Sequence, residues 1–386
     1  MKNSYIAKRY WNLKASLIGQ KADPSLLYHD LIDFSIGDPD LNTDNRIIEM
    51  AFNDALNGYT HYTESIGRLE LREKLVKYYK ERFGFDINIE DLMITTSACH
   101  AMTLALEATL DDGDEVIIPT PHFGLYTHQV ELARGIPVFV ETYEEENFQI
   151  NIDRLRSKIT NRTKGIILNT PNNPTGACIS RENLEQIASI AREYDLLIFA
   201  DDIYTIFSYG EPFVPIATLK DMKARTITIG SFSKDYCMTG WRIGYILANP
   251  DLIFVVGNIN DNIIYSAPTI SQQAAIHALD MRDIIQPDLV EEFRNRIFYA
   301  YERLKSLKNV SILSPMGTFY LFPSIKATGL SSEEVARRLL EEAHVLVIPG
   351  NAFGELGEGH LRLSCTLSID KMKEAFDRME KMEIFR

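Results

Sequence analysis

The sequence predicts an α/β protein with a mostly parallel sheet covered by helices on both faces, and a smaller α+β domain beside it. Between residues 92 and 247, apolar strands alternate with helices, and strands that are apolar throughout are typical of parallel sheets buried on both faces. From about residue 283, a long charged helix leads into mixed strands and helices. We therefore expect residues 45–282 to form the large domain and residues 1–44 with 283–386 to form the small one.

The individual elements follow from hydrophobic periodicity along the chain. Helices are predicted at residues 46–56, 67–83, 98–110, 123–132, 180–194, 283–307 and 333–343, with Ser180 as the N-cap of the fifth. Strands are predicted at residues 92–96, 116–119, 137–140, 164–168, 196–200, 226–229, 243–247, 310–313, 318–322 and 361–364.

The composition argues against several classes of function. The chain carries a formal net charge of −14, whereas binding of nucleic acid or an anionic membrane surface needs clustered Lys and Arg. The first residues lack the apolar segment of a signal peptide, and no run approaches the roughly 18 apolar residues of a membrane span. Four scattered cysteines and eight histidines without ligand spacing favour a reducing cytoplasm and predict no metal site.

The residues that indicate chemistry centre on Lys234. It ends a Ser-Phe-Ser-Lys segment just after a predicted strand, where open α/β sheets place their ligands. Eight positions later, Arg242 stands in a Gly-Trp-Arg-Ile-Gly segment. Together these segments resemble the cofactor-lysine motif of the class I/II aminotransferases, a pyridoxal 5'-phosphate-dependent family of fold type I. The resemblance implies that Lys234 forms a Schiff base with the cofactor aldehyde.

Two further stretches match the same family. Residues 169–176, Asn-Thr-Pro-Asn-Asn-Pro-Thr-Gly, have a turn-forming composition and contain the family's Asn-Pro-x-Gly signature, in which Asn173 would bond the cofactor's phenolic oxygen. An apolar strand then ends in Asp201-Asp202-Ile203-Tyr204, which alone is also typical of a solvated strand end. By resemblance, Asp201 pairs with the pyridine nitrogen, Tyr204 contacts the phenolic oxygen, and Asp202 is structural. A carboxylate beside that nitrogen keeps it protonated and makes the ring an electron sink.

The resemblance also assigns the phosphate and substrate contacts. Ser97, Ala98 and Cys99 join a strand to a helix, and backbone amides at a helix N-terminus can hold a dianion. The other assignments are Ser231 and Arg242 to the phosphate, Tyr62 to the phosphate of a neighbouring subunit, Phe123 to stacking on the ring, Arg362 to the substrate α-carboxylate, and Gly37 to a loop that closes over the substrate. Without the resemblance, Tyr62 fits a loop aromatic, Phe123 a core side chain, and Arg362 an exposed strand residue.

These matches run in the family's order from Gly37 to Arg362. They imply a cytoplasmic, homodimeric amino-acid aminotransferase with shared active sites, in which Asn173 and Arg362 orient the substrate and a 2-oxo acid accepts the amino group. A C–S β-lyase acting on cystathionine or cysteine is the alternative, because it shares the fold and the lysine. A ligand-sensing transcription regulator would need a basic DNA-binding region, and only 36 residues precede Gly37. Dicarboxylic, aromatic and other neutral donors all remain open.

Overall fold

The computed structural model describes residues 5–7, 11 and 28–386. Most of residues 1–27, which we predicted to join the small domain, therefore lie outside the described residues. The helices are α1 (Asn45–Leu56), α2 (Leu69–Phe83), α3 (Ala98–Thr109), α4 (Leu125–Leu132), α5 (Ile152–Ser157), α6 (Arg181–Glu193), α7 (Pro250–Asp261), α8 (Thr269–Asp280), α9 (Arg282–Ser306), α10 (Ser332–Ala343) and α11 (Ile369–Met379). The strands are β1 (Ile32–Asp33), β2 (Leu92–Thr95), β3 (Glu115–Thr120), β4 (Ile136–Glu141), β5 (Thr163–Asn169), β6 (Leu197–Asp201), β7 (Thr226–Ser231), β8 (Gly244–Leu247), β9 (Tyr320–Leu321), β10 (Val345–Leu346), β11 (Ile348–Pro349) and β12 (Leu361–Ser364).

Seven strands form the main sheet in the order β2-β8-β7-β6-β5-β3-β4. All neighbouring pairs are parallel except the two that involve β8. Alternate residues of β3 enter opposite cores: Val116 and Ile118 pack with α3 and α4, while Ile117 packs with α6. Helices thus cover both faces, because a period of two directs apolar side chains to both sides of the sheet. The predicted α/β class with a mostly parallel sheet is confirmed.

Two smaller sheets involve residues from both ends of the described chain. Strand β1 pairs in parallel with β10, and β11, β12 and β9 form an antiparallel sheet. Their apolar side chains share a core with α9, α10 and α11, and this core also includes Tyr204 and Phe207 from the segment after β6. The three-stranded sheet is therefore anchored against the carboxyl end of the main sheet. The division into domains at residues 45 and 282 stays a prediction.

Most predicted elements form within a few residues of their predicted bounds, and Ser180 caps α6 by accepting a hydrogen bond from the Asn183 amide. The strand predicted at residues 310–313 is wrong. Ser311 makes one isolated bridge to Ser324, and Asn309 takes a left-handed φ of 63°, so the segment turns rather than extending into a ladder. None of the helices in the described part of the chain is long and apolar enough to cross a membrane.

Candidate active site

A cavity of about 490 Å³ lies at the carboxyl ends of β5, β6 and β7. Strand register sets Asn169 beside Asp201 and Asp201 beside Ile229, so the segments that follow these strands meet at one edge of the sheet. Open α/β sheets bind ligands at this edge. The predicted residues that line the cavity are Gly37, Ala98, Cys99, Phe123, Asn173, Asp201, Tyr204, Ser231, Lys234, Arg242 and Arg362, and Ser97 lines it as well.

Lys234 extends from the end of β7 across the cavity. Its Nζ donates a hydrogen bond to the Gly37 carbonyl over 2.6 Å. The pKa of Lys234 is lowered to about 8, mainly by burial; the carboxylate of Asp38 opposes this shift, and the positive charges of Arg242 and Arg362 contribute to it. A lysine with this pKa has a fraction of neutral amine near pH 7, which a nucleophile or a general base requires.

Asp201 is held from two sides at the end of β6. The Tyr126 hydroxyl donates to its Oδ2, while Oδ1 is buried with no hydrogen-bond partner among the described residues. Asn169 Nδ2 donates to the Asp201 carbonyl over 2.9 Å, and Asn169 Oδ1 accepts from the Asn173 amide over 2.8 Å. Burial raises the pKa of Asp201 to about 6, against the smaller opposing effect of the Tyr126 hydrogen bond. The buried Oδ1 could therefore accept from a cationic N–H group in the cavity.

The N-terminus of α3 forms one wall of the cavity. Ser97 caps this helix through a bond from the His100 amide to Ser97 Oγ over 3.1 Å, and the next amides belong to the first turn, which lacks helical acceptors. Gly244 of β8 is in register with Ser231 and lies against the start of α3. A Cβ at residue 244 would lie 2.9 Å from the Ala98 nitrogen, so glycine allows β8 and α3 to approach each other closely. With Arg242 also lining the cavity, this wall can hold an anion such as phosphate.

Arg362 lies on β12 and lines the cavity from the three-stranded sheet. It is 3% exposed; Nη1 donates to Asn173 Oδ1 over 3.2 Å, and Nη2 donates to the Ser35 carbonyl. Its guanidinium packs over the ring of Tyr320, 4.7 Å from the centroid, while Nε is buried without a partner among the described residues. A buried guanidinium with an unused donor is suited to a planar carboxylate.

Comparison with known proteins decides the family. Residues 29–379 match the family described as aminotransferase class I and II. The chain belongs to this family. It is 42% identical to "Aromatic-amino-acid aminotransferase 2" of Thermococcus litoralis, over 91% of each chain. It is 38% identical to an aspartate aminotransferase of Pyrococcus horikoshii, over 98% of this chain and 97% of the relative. The solved structure of the Thermus thermophilus aspartate aminotransferase with maleate superposes with a TM-score of 0.92 at 31% identity, covering 97% of this chain and 98% of that one.

The predicted activity, that of an amino-acid aminotransferase, and the predicted fold-type I architecture are confirmed. Members of this family depend on pyridoxal phosphate. The same comparisons give no support to the C–S β-lyase alternative.

The side chains of this aminotransferase site that sequence reasoning missed include Tyr126, Asn169 and Tyr320. Asn169 stands at the start of the quoted Asn-Pro stretch, and Tyr126 comes three residues after Phe123, whose ring it meets edge-on at 5.7 Å. The Tyr320 hydroxyl lies 3.1 Å from that of Tyr204, and any side chain at residue 37 would collide with it. Only the folded chain brings Tyr320 to the site, so no local signal could have identified it.

Tyr62 is the one predicted site residue that does not line the cavity of the described chain. Its side chain is 87% exposed, and its ring meets Tyr265 edge-on with centroids 5.4 Å apart. Its predicted contact with the phosphate of a neighbouring subunit stays a prediction.

Proposed function

We propose that this aminotransferase works with pyridoxal 5'-phosphate bound in the cavity, and that Lys234 both attaches the cofactor and moves the substrate proton. One observation carries the proposal: a buried amine with a lowered pKa and a buried carboxylate with an unpartnered oxygen line the same cavity. Burying an amine and a carboxylate in this way is costly unless a ligand uses them.

The described residues fit this cofactor. Lys234 Nζ would bond to the aldehyde carbon, and Asp201 Oδ1 would accept from the pyridine nitrogen. The Tyr204 hydroxyl and the side-chain amide of Asn173 would contact the phenolic oxygen. The Ser97–Cys99 turn, Ser231 and Arg242 would hold the phosphate, since helix N-terminal amides and a guanidinium suit a dianion. Phe123 would lie against the ring. When bound, pyridoxal phosphate supplies an acceptor for the amino group and a ring that withdraws electrons from the substrate Cα.

The protein's own groups then provide the proton transfer and the orientation. Once the amino group of the substrate has taken its place at the aldehyde, Lys234 would be a free neutral amine able to take the proton from the substrate Cα. The ammonium group that results would then give up this proton as an acid, a role that the lowered pKa of Lys234 supports. Arg362 binds the α-carboxylate, and Asn173, already in contact with Arg362, helps to fix its angle. A substrate clamped in this way presents one chosen bond at Cα to Lys234. The segment around Gly37 closes the cavity above it.

We also propose a cytoplasmic homodimer. Large apolar side chains are exposed on α1, on α7 and in the loops that follow them: Phe52, Leu56, Tyr62, Phe254, Ile263 and Tyr265. Exposed apolar surface of this extent is typical of a protein interface, and it surrounds the residue predicted to reach a neighbouring active site. The four free cysteines support a reducing compartment. Sedimentation that found only a fully active monomer would contradict the dimer.

The test is amino-group exchange measured in wild type and in K234A. Wild type should transfer the amino group of aspartate or of an aromatic amino acid, the donors named for the relatives above, to 2-oxoglutarate. K234A should lose on the order of 10³-fold or more in kcat, because the variant removes the amine that moves the proton. It should still bind pyridoxal phosphate through the other contacts but lack the visible absorbance of lysine-attached cofactor.

The matched control is K220A, which removes an exposed lysine before β7 and should leave both measurements unchanged. Full activity in K234A would overturn the assignment of the lysine. Release of pyruvate and ammonia from cysteine or cystathionine, without amino exchange, would overturn the reaction itself.

A further inference from the structure

A hydrogen bond behind the cavity joins two residues that the proposed function does not use. Thr205 Oγ1 donates to Asp235 Oδ2 over 3.0 Å. Thr205 follows Tyr204 in the chain and Asp235 follows Lys234, so each is the neighbour of a residue that lines the cavity. The bond therefore ties together the backbone segments that carry two proposed site residues.

The main sheet does not hold these segments itself. The last paired residues of β6 and β7 are Asp201 and Ile229, and the Asp202 amide donates once more to the Ile229 carbonyl over 3.0 Å. Beyond this point, residues 203–209 and 232–238 are all described, and the Thr205–Asp235 bond is the one hydrogen bond between them. Without it, no direct hydrogen bond would set their separation, which would then depend on apolar packing and on contacts that each segment makes with other parts of the chain.

The surroundings of Asp235 are unfavourable for a carboxyl group. It is 6% exposed, and its Oδ1 and the neighbouring Tyr236 hydroxyl are both buried without partners among the described residues. Burial raises the pKa of Asp235 to about 7, against the lowering by the Thr205 bond and by Arg82. The ionisable groups that face it from α2, β8 and its own segment are Tyr78, Tyr79, Arg82, Tyr236 and Tyr245. A buried carboxyl with an oxygen that lacks a hydrogen-bond partner destabilises the fold, which indicates that the residue is kept for another role.

We propose that Asp235 is a positioning residue: by accepting the hydrogen bond of Thr205, it fixes the backbone of Lys234 relative to Tyr204. The proposal rests on the proposed roles of these two neighbours. Asp235 touches neither cofactor nor substrate, because its side chain lies behind the cavity lining. Asp235 instead determines the position of the Lys234 amine, and small displacements of a reacting group lower the reaction rate strongly.

The test compares holoenzymes of D235A, D235N, T205V, T205S and the double variant D235A/T205V. D235A and T205V should each lower kcat about tenfold while the donor KM stays within about twofold, since alignment is lost but the substrate contacts are kept. D235N and T205S, which keep the acceptor and the donor, should restore kcat. The double variant should be no slower than either single variant, because both remove the same bond.

A spectroscopic readout separates positioning from a general loss of structure. The pH midpoint of the visible band of the lysine-bound cofactor should shift by the same amount in D235A and T205V, and return to the wild-type value in D235N. The control T328V also removes a hydrogen-bonded threonine hydroxyl, which donates to the Ile325 carbonyl and accepts from the Leu330 amide, away from the cavity. It should leave kcat and the midpoint unchanged.

The proposal is overturned if D235A and T205V keep wild-type kcat and midpoint, if their losses add in the double variant, or if D235N is as slow as D235A. A lower melting temperature with no change of midpoint would likewise overturn it. If D235A does not fold, T205V and D235N decide the same question. A wild-type protein without cofactor absorbance or amino transfer would contradict the proposed function instead, so the two failures are distinguishable.

Discussion

The floor and the rim of the cavity are built in different ways. The floor consists of Asn169, Asp201 and Ser231, at the carboxyl ends of three adjacent parallel strands, and its geometry follows from one continuous register. The rim consists of residues 35–38 with Tyr320 and Arg362, three segments far apart in the chain. The main sheet fixes the floor, whereas side-chain contacts hold the rim.

The hydrogen bonds of the rim show this difference. Lys234 and Arg362 both donate to backbone carbonyls of residues 35–37, and Thr366 Oγ1 donates to the Ile36 carbonyl over 3.2 Å. Two of the three donors are therefore the same cations that we propose to serve the cofactor and the substrate. Changes in the floor should accordingly affect the chemical step, and changes in the rim should affect binding.

Among substitutions that test this difference, the largest loss of activity is expected in the floor, at Asp201. D201N keeps the size and an acceptor for Tyr126 but removes the negative charge opposite the cofactor nitrogen. We expect kcat to fall by about 100-fold or more with little change in KM, because the lost interaction develops with the transition state. Steady-state kinetics with saturating cofactor would measure this.

The control for D201N is its neighbour, D202N. Asp202 is buried but does not line the cavity, and burial, with the nearby charge of Asp201, raises its pKa well above the usual range. Because the Asp202 side chain does not line the cavity, an amide of the same size removes no contact with cofactor or substrate, so D202N should remain close to wild type. Equal losses in the two variants would show that the wrong carboxylate had been chosen.

The floor is also the part of the site that the sequence predicted best. Asp201 and Ser231 each end an apolar strand, and parallel strands bring their carboxyl ends together whatever the details of packing. Local sequence therefore carries most of the information about the floor. Of its residues only Asn169 escaped the prediction, although it begins a stretch that was identified.

The rim could be predicted only in part, for a physical reason. Arg362 and Gly37 were found by resemblance, but Tyr320 reaches Tyr204 and Arg362 only through packing between the short sheets and the main one. The prediction of secondary structure was incomplete in similar places. It missed the two-residue strands β1, β10 and β11, which are too short to show a periodicity. The helix α11 is different, because Met372, Ala375, Phe376 and Met379 recur at helical spacing and could have been recognised.

The next largest effect is expected in the rim, from R362K. Lysine keeps the charge but offers one point of contact in place of a planar pair, so a hydrogen bond to a charged group is lost, worth about 1.5–3 kcal/mol. This corresponds to about a 10- to 100-fold lower kcat/KM for the amino acid donor, mostly as a higher KM. A loss confined to kcat would contradict the division between floor and rim.

The control for R362K is R303K on α9. Arg303 pairs with Asp377 of α11 and with Glu380 just after this helix, and it does not line the cavity. Partly exposed ion pairs of this kind contribute little, so kinetics should be unchanged. Donor kinetics for the two variants, measured side by side, separate loss of substrate binding from a general effect of replacing arginine with lysine.

The smallest expected effect is on the pKa of Lys234. Two rim residues of opposite charge, Arg362 and Asp38, shift this pKa in opposite directions. Only the neutral amine of Lys234 attacks an aldehyde, so the rate at which apoenzyme captures added pyridoxal phosphate should rise with pH through a midpoint near the pKa of about 8. R362Q removes a positive charge, which should raise this pKa and move the midpoint to higher pH. D38N removes a negative charge but keeps an acceptor for Thr239, and should move the midpoint to lower pH. Stopped-flow measurement across pH 6 to 10 that gave shifts in the same direction would show that the rim acts on Lys234 through its conformation and not through its charge.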